Sequence, residues 1–238
     1  MTPSFTVVIP TYNGGDRLPA LFDQLRAQQD VADLAWEILV VDNNSTDHTA
    51  AVVERYQADA SFPVTIRYAL EPRQGAAYAR LKAMELVASD WVGFLDDDNW
   101  PEPNWLRVAV EFCDHSPQLG AFSGQIKLAT AADLPDQFDR IALFLAIRNH
   151  GNTPHRFDPD NLDLPPAASW VIRTQAWREA VPPTPILGGR RRDFFVQGDD
   201  YEPLLYLHKQ GWDIWYTPDL ITHHQIPPHR FEPAALIN

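Results

Sequence analysis

Trp91-Val92-Gly93-Phe94-Leu95-Asp96-Asp97-Asp98-Asn99 sets three adjacent carboxylates at the end of an apolar run. Residues 91–95 have the length and composition of a buried strand. Three negative charges at the end of a core strand are costly unless something cationic sits there. Hard divalent cations take carboxylate oxygens, and Mg²⁺ or Mn²⁺ is commonly shared with a substrate phosphate. One reading is therefore an Asp-x-Asp metal site, Asp96 and Asp98, holding a nucleotide diphosphate. The other is a solvated acidic turn that caps the next helix.

The segments before this run alternate strand and helix. Residues 5–9, 36–41 and 64–68 are short β-branched or aliphatic runs. Between them, Asp16 is placed to cap a helix to about residue 28, with Leu18, Leu21, Phe22 and Leu25 at helical spacing and Pro19 tolerated in the first turn. Ser45 or Thr46 is placed to cap a second helix to about residue 57, and residues 75–87 make a third. Such alternation predicts a parallel sheet covered on both faces. Ligands in these sheets bind at the carboxyl ends of the strands. Thr11-Tyr12-Asn13, Asp42-Asn43-Asn44 and Asp96-Asp97-Asp98 each follow a strand directly. Strand ends commonly lead into polar turns, but these three clusters are expected to converge on one edge of one sheet.

After Asn99 the pattern changes. Pro101-Glu102-Pro103 is a turn, residues 105–113 a helix, 121–128 a strand and 138–147 a helix. Residues 151–166, rich in Pro, Asp and Asn, predict a long loop, and residues 182–192 a second irregular region. A helix over 201–210 and a short strand over 212–216 follow.

With 238 residues, 45% hydrophobic and 21% charged, the composition is that of a soluble globular chain. No apolar run approaches a membrane span, and residues 1–4 lack a secretory signal pattern. The lone Cys113 excludes an internal disulfide framework and suits the cytosol. A net charge of −13 argues against a duplex nucleic-acid partner. It also means that any anionic substrate needs a metal or local arginines, for which Arg73, Arg190, Arg191, Arg192 and Arg230 are available. The chain ends within the start of what reads as another element, so a truncated C-terminal tail is an expectation.

In this order and spacing, the motifs resemble the family-2 glycosyltransferases. They are residues 8–13 (Val-Ile-Pro-Thr-Tyr-Asn), 40–47 (Val-Val-Asp-Asn-Asn-Ser-Thr-Asp), Gly75 with Ala79-Arg80, residues 94–98, Gly198-Asp199-Asp200 and His224-Gln225-Ile226-Pro227. Within the family the chain is most similar to non-processive enzymes of bacterial exopolysaccharide synthesis. No membrane spans and no Gln-x-x-Arg-Trp after Asp200 disfavour a processive synthase. The resemblance implies an α/β, GT-A fold: a Rossmann-like, mostly parallel central sheet covered by helices. It implies one domain over 1–238, with a nucleotide-sugar-binding half at about 1–100 and an acceptor-binding half at about 101–238.

The implied activity is metal-dependent, inverting transfer of a sugar from a nucleotide-sugar, with UDP as nucleotide, to a hydroxyl of a glycan or lipid-linked acceptor. The implied nucleotide site is Pro10, Thr11, Tyr12, Asn13, Asp42, Asn44, Arg73, Gly75, Arg80, Asp96 and Asp97. Asp42 would accept the uracil N3–H, and Asp96 would meet the ribose. Asp98 is the implied metal ligand for Mn²⁺ or Mg²⁺, with Asp96 and His224 completing the shell. Asp97, pointing away under strand alternation, is also a structural candidate. Asp200 is the implied base; Asp199 competes, because two adjacent acids leave the register open, and both are also placed to cap a helix. Trp170, Arg191 and Arg230 are candidates for the sugar and acceptor, with Trp100 and Trp105 as alternative stacking faces. The expected location is the cytoplasm, at the inner face of the membrane if the chain joins an assembly complex. A metal-dependent nucleotidyltransferase and a non-catalytic nucleotide-sugar-binding module are the competing classes. The first would need a Gly-rich basic loop after the first strand, for which residues 14–17 (Gly-Gly-Asp-Arg) are a poor match. The second would have lost the acids.

Overall fold

The computed structural model describes residues 5–130, 134, 138, 141–187, 190–191, 194–195 and 198–231 of the chain. Four parallel strands form its N-terminal half: β1 (Phe5–Thr11), β2 (Trp36–Asp42), β3 (Ile66–Leu70) and β4 (Trp91–Phe94). They pair in the order β3-β2-β1-β4, with Thr11 level with Asp42 and Asp42 level with Leu70. The connecting helices are α1 (Leu18–Arg26), α2 (Thr49–Gln57) and α3 (Ala76–Leu86).

The second half extends the same sheet. The strand β6 (Leu119–Ala129) and the long β11 (Asp213–Gln225) run parallel to each other. The three-residue β8 (Val171–Arg173) lies antiparallel between β4 and β6. The far edge is β5 (Asn99–Pro101), antiparallel to β11, and β7 (His155–Arg156) pairs with the other end of β11. The full order is β3-β2-β1-β4-β8-β6-β11-β5. A separate hairpin joins β9 (Arg190–Arg191) and β10 (Phe194–Phe195). The remaining helices are α4 (Trp105–Phe112), α5 (Thr174–Ala180) and α6 (Tyr201–Lys209).

Strand alternation divides the core into two layers. Val7, Ile9, Ile38 and Val40 face α1, α2 and α4, where Leu18, Leu21, Phe22, Leu25, Trp105 and Leu106 are fully buried. Val8, Leu39 and Val41 face α3, α5 and α6, with Met84, Trp177, Leu204 and Leu207. Each large aliphatic side chain so buried contributes about 1.5–3 kcal/mol.

Several local expectations are corrected. The first helix begins after Arg17, not Asp16, because the 14–17 turn is closed by Gly14 O accepting from the amides of Arg17 and Leu18. The second begins at Thr49; Asp47, not Ser45 or Thr46, serves its start by accepting the Thr49 amide. The helix expected over 138–147 is reduced, among the described residues, to the 3-10 turn Ala142–Leu145. The last strand runs on to Gln225, absorbing Pro218 in an irregularity between Tyr216 and Ile221. No helix among the described residues is long and apolar enough to cross a membrane.

Candidate functional site

A cleft of about 580 Å³ opens at the carboxyl ends of β1, β2 and β4. Pro10, Thr11, Tyr12 and Arg17 form one wall, Asn43 with residues 74–76, Ala79 and Arg80 another, and Asp96, Asp97 and Asp98 the third. The three polar clusters therefore meet at one sheet edge. Asn43, 6% exposed, fixes this geometry. Its side-chain amide donates to the carbonyls of Glu71 and Arg73, and its Oδ1 accepts the Gly75 amide. Gly75, at φ 137°, turns the chain into α3 in a conformation that a side chain would strain.

The acids do not belong to a strand. β4 ends at Phe94, and residues 96–99 form a turn closed by the Asn99 amide on Asp96 O. Strand alternation thus does not set which way they point. Asp97 faces the β1–α1 loop, where Arg17 binds it through Nε at 2.6 Å and Nη2 at 2.9 Å. Thr11 Oγ1 donates to the same carboxylate at 2.5 Å. A Cβ on Gly14 would overlap both Thr11 Oγ1 and Asp97 Oδ2. Gly14→Ala is therefore expected to destabilise the fold by about 1–3 kcal/mol, as overpacking does, in denaturant titrations.

Asp98 and His224 form a second pair, with Oδ2 and Nε2 3.5 Å apart. His224 Nδ1 donates to Leu145 O at 2.9 Å, which turns Nε2 toward Asp98. Burial opposes both charges, but their mutual attraction wins: Asp98 is held below the usual carboxylate range and His224 above that of histidine. Among the described residues, no cation is bonded to Asp96. Burial, opposed by Arg80 and reinforced by Asp98 and Asp97, pushes it up to about 6.

The residues fit a divalent cation. Adjacent ligands on an octahedral ion with bonds of about 2.1 Å lie roughly 3 Å apart, a small side-chain rotation from the observed pair. An imidazole whose other nitrogen is tied to a carbonyl is the usual arrangement of a metal-binding histidine. The protein's share of the shell is small: among the described residues no cluster of three or more His, Cys, Asp or Glu is assembled.

Across the cleft, Arg80 is 6% exposed and its Nη1 donates to Asp199 Oδ2 at 2.8 Å. Its guanidinium lies 5.4 Å from the Trp170 ring centroid. Asp200 sits at the start of α6 without capping it through its side chain. Burial pushes its carboxyl up, Arg80 opposes this, Asp199 adds to it, and the Ala167 amide hydrogen-bonds it.

Other candidates lie elsewhere. Trp170 is fully buried, its Nε1 donating to Pro165 O, so it offers no face to a sugar. Trp105 is likewise core, against Phe5, and Trp100 lies in β5. Arg73 is clamped by Glu71 through two hydrogen bonds. Asn13 is spent joining loops: its amide donates to Ser45 Oγ and its Oδ1 accepts the Thr46 amide. Asn44 is exposed at φ 65°. Asp42 is 3% exposed, with Oδ1 accepting the Ser45 amide and Oδ2 the Tyr68 hydroxyl at 2.7 Å. Arg230 stands in the 3-10 turn Pro228–Phe231 and is not among the described residues that line the cleft. The Arg191 side chain and all of Arg192 lie outside the described residues. Arg17 is not singled out from sequence, and Asn43 enters there only as a member of the Asp42-Asn43-Asn44 cluster, without a role of its own.

The Gly14 and Gly15 amides are not free to cradle a phosphate. They donate to Thr49 Oγ1 and Asp47 Oδ2. This removes the main feature that a nucleotidyltransferase would need there.

A family model described as glycosyl transferase family 2 matches residues 6–173. The chain belongs to glycosyl transferase family 2. TuaG of Bacillus subtilis (strain 168), named as a teichuronic acid biosynthesis glycosyltransferase, is 32% identical over 138 residues, 57% of this chain and 52% of TuaG. The mannosyltransferase PcManGT of Pyrobaculum calidifontis, solved in complex with GDP-Man and Mn²⁺, superimposes with a TM-score of 0.67 at 20% identity, over 97% of this chain and 59% of that one. S. aureus TarS 1-349 in complex with UDP does so with a TM-score of 0.62 at 19% identity, over 96% and 62%. This family member thus has the GT-A fold expected of it, a mixed α/β arrangement around a mostly parallel sheet. It spans about half the length of TuaG and less of other curated relatives.

Proposed function

We propose that the chain transfers a sugar from a UDP-sugar, with a divalent cation, to a hydroxyl of a glycan or lipid-linked acceptor in polysaccharide biosynthesis, with inversion at the anomeric carbon. The observation that carries this reading is the cleft itself. The turn after β4 brings Asp96 and Asp98, and α3 brings Arg80, to the cleft at the strand ends, and Arg80 leads from it to the Asp199–Asp200 turn. Support also comes from TarS, solved with UDP, and PcManGT, solved with GDP-Man and Mn²⁺.

Tyr12, 40% exposed, and Pro10 offer apolar surface for the base at the cleft wall. The Tyr68 hydroxyl holds the place on Asp42 that a uracil N3–H would take. Asp96 is offered to the ribose. Asp98 and His224 would hold the cation, which when bound supplies Lewis-acid stabilisation of the departing diphosphate. Asp200 takes the acceptor proton. The acceptor oxygen bonds to the anomeric carbon as the bond from that carbon to the diphosphate breaks, its electron pair leaving on the diphosphate. Burial raises the proton affinity of Asp200 toward that useful for a general base. In this reading the first half of the chain holds the donor and the second the acceptor.

A thermal-shift series with Mn²⁺ tests the donor. UDP at 100 times its Kd is expected to stabilise by about 2.7 kcal/mol. For a chain of this size each kcal/mol raises Tm by about 2–4 °C. CDP and GDP are expected to do less. Cytosine N3 is an acceptor and would face the Asp42 carboxylate without a proton between them. GDP or CDP binding as tight as UDP overturns the assignment of the base.

A further inference from the structure

The acids around the cleft are matched unevenly with cations. Arg17 holds Asp97, His224 holds Asp98 and Arg80 holds Asp199. Among the described residues, Asp200 has no such partner. The Arg80–Asp199 pair is set apart from the other two because both its side chains are nearly dry, 8% and 16% exposed. It connects α3, in the half that carries the strand-end cluster, to the turn that opens α6.

Both ends of the pair are fixed by their surroundings. The Arg80 guanidinium lies over Trp170, which is held by Pro165 O and packs edge-on against Phe94 of β4. The turn carrying the acids is closed by Gly198 O, which accepts from the amides of Tyr201 and Glu202. Glu202 then accepts the amides of Ile186 and Leu187, fastening the segment that leads into the turn. On the far side, the Ala167 amide reaches Asp200. With Asp199 spent on Arg80, the proton-accepting role falls to its neighbour.

We infer that Arg80 and Asp199 form a clasp between the two halves of the chain, with Asp199 a positioning residue that holds Arg80 beside Asp200 and leaves Asp200 as the one carboxylate of the pair able to take the acceptor proton. This rests on the transferase reading, and it makes a signed demand on the electrostatics. Among the described residues, the groups facing Asp200 are Arg80 from α3, Asp199 from its own turn and the Ala167 amide; Glu202, next on α6, is occupied by the Ile186 and Leu187 amides. Removing the Asp199 charge deletes a repulsion and releases Arg80 toward Asp200. Removing the Arg80 charge deletes an attraction and leaves Asp199 unpaired beside Asp200. The two changes therefore move the Asp200 titration in opposite directions.

The test uses the full chain and two readouts. The first is the ¹³Cγ signal of Asp200 during a pH titration, assigned by its loss in Asp200→Asn. The second is the pH dependence of UDP release from a panel of UDP-sugars with Mn²⁺. Asp199→Asn is expected to move both the Asp200 midpoint and the acid limb to lower pH. Arg80→Gln is expected to move them to higher pH, the two variants standing about one pH unit or more apart. Arg80→Lys, which keeps the charge, is expected to restore most of the wild-type midpoint. Should Arg80→Gln fail to fold, Asp199→Asn/Arg80→Gln removes both charges, and its midpoint is expected to lie above that of Asp199→Asn. Midpoints that do not move, or that move the same way in both single variants, overturn the clasp. Opposed midpoints in a protein that releases no UDP uphold the clasp and overturn the transferase reading instead.

Discussion

Asp200→Asn is expected to bind UDP and metal as the wild type does and to lose transfer by about 10²–10⁴-fold. The substitution keeps the size of the side chain and the start of α6, where the Asp200 side chain makes no capping hydrogen bond. What it removes is the proton acceptor. A loss confined to kcat is the signature of an interaction needed only during reaction. Single-turnover measurements with a saturating donor separate this from weaker binding. The comparison with Asp199→Asn is decisive, because that carboxylate is already committed to Arg80. An inactive Asp199→Asn beside a normal Asp200→Asn would exchange the two roles. Normal transfer by both variants would overturn direct displacement.

The second large effect is expected at Asp98. Asp98→Ala should abolish the dependence of UDP binding on Mn²⁺ or Mg²⁺, since it removes the carboxylate paired with His224. Calorimetry with and without EDTA reads this directly: the variant should bind UDP equally weakly in both. Asp97→Ala should behave differently. It strands the Thr11 hydroxyl and the Arg17 guanidinium, a folding defect of about 1–3 kcal/mol, while the metal dependence persists. If the two variants share one phenotype, the metal is not held by Asp98.

The parallel half was legible because its strands are continuous apolar runs and α1 carries a clear apolar spacing, with Leu18, Leu21, Phe22 and Leu25 on one face. The convergence of three strand ends followed from that topology alone. What lay hidden depended on partners distant in sequence. β8 has three residues and α5 seven, too short to show a period. β11 continues through Thr217-Pro218-Asp219, which has the composition of a turn but is carried within the strand opposite β6. Trp170 looked like a sugar platform because aromatic residues near a motif invite that role, yet its burial against Phe94 is a matter of packing that no local pattern reports. The Arg17–Asp97 pair spans 80 positions, and neither residue is unusual by itself.

The short β8 also governs how this chain can be made. β4 is flanked by β1 on one side and by β8 on the other, so its second edge is covered only after Val171–Arg173 has emerged from the ribosome. Until then Trp91–Phe94, buried along its whole length in the finished sheet, presents an unpaired apolar edge. Such an edge is a template for pairing with another chain. A nascent or shortened polypeptide that stops before β8 is therefore expected to aggregate rather than to persist as a free donor-binding half, and co-translational chaperones would have their longest task in the interval between these two strands.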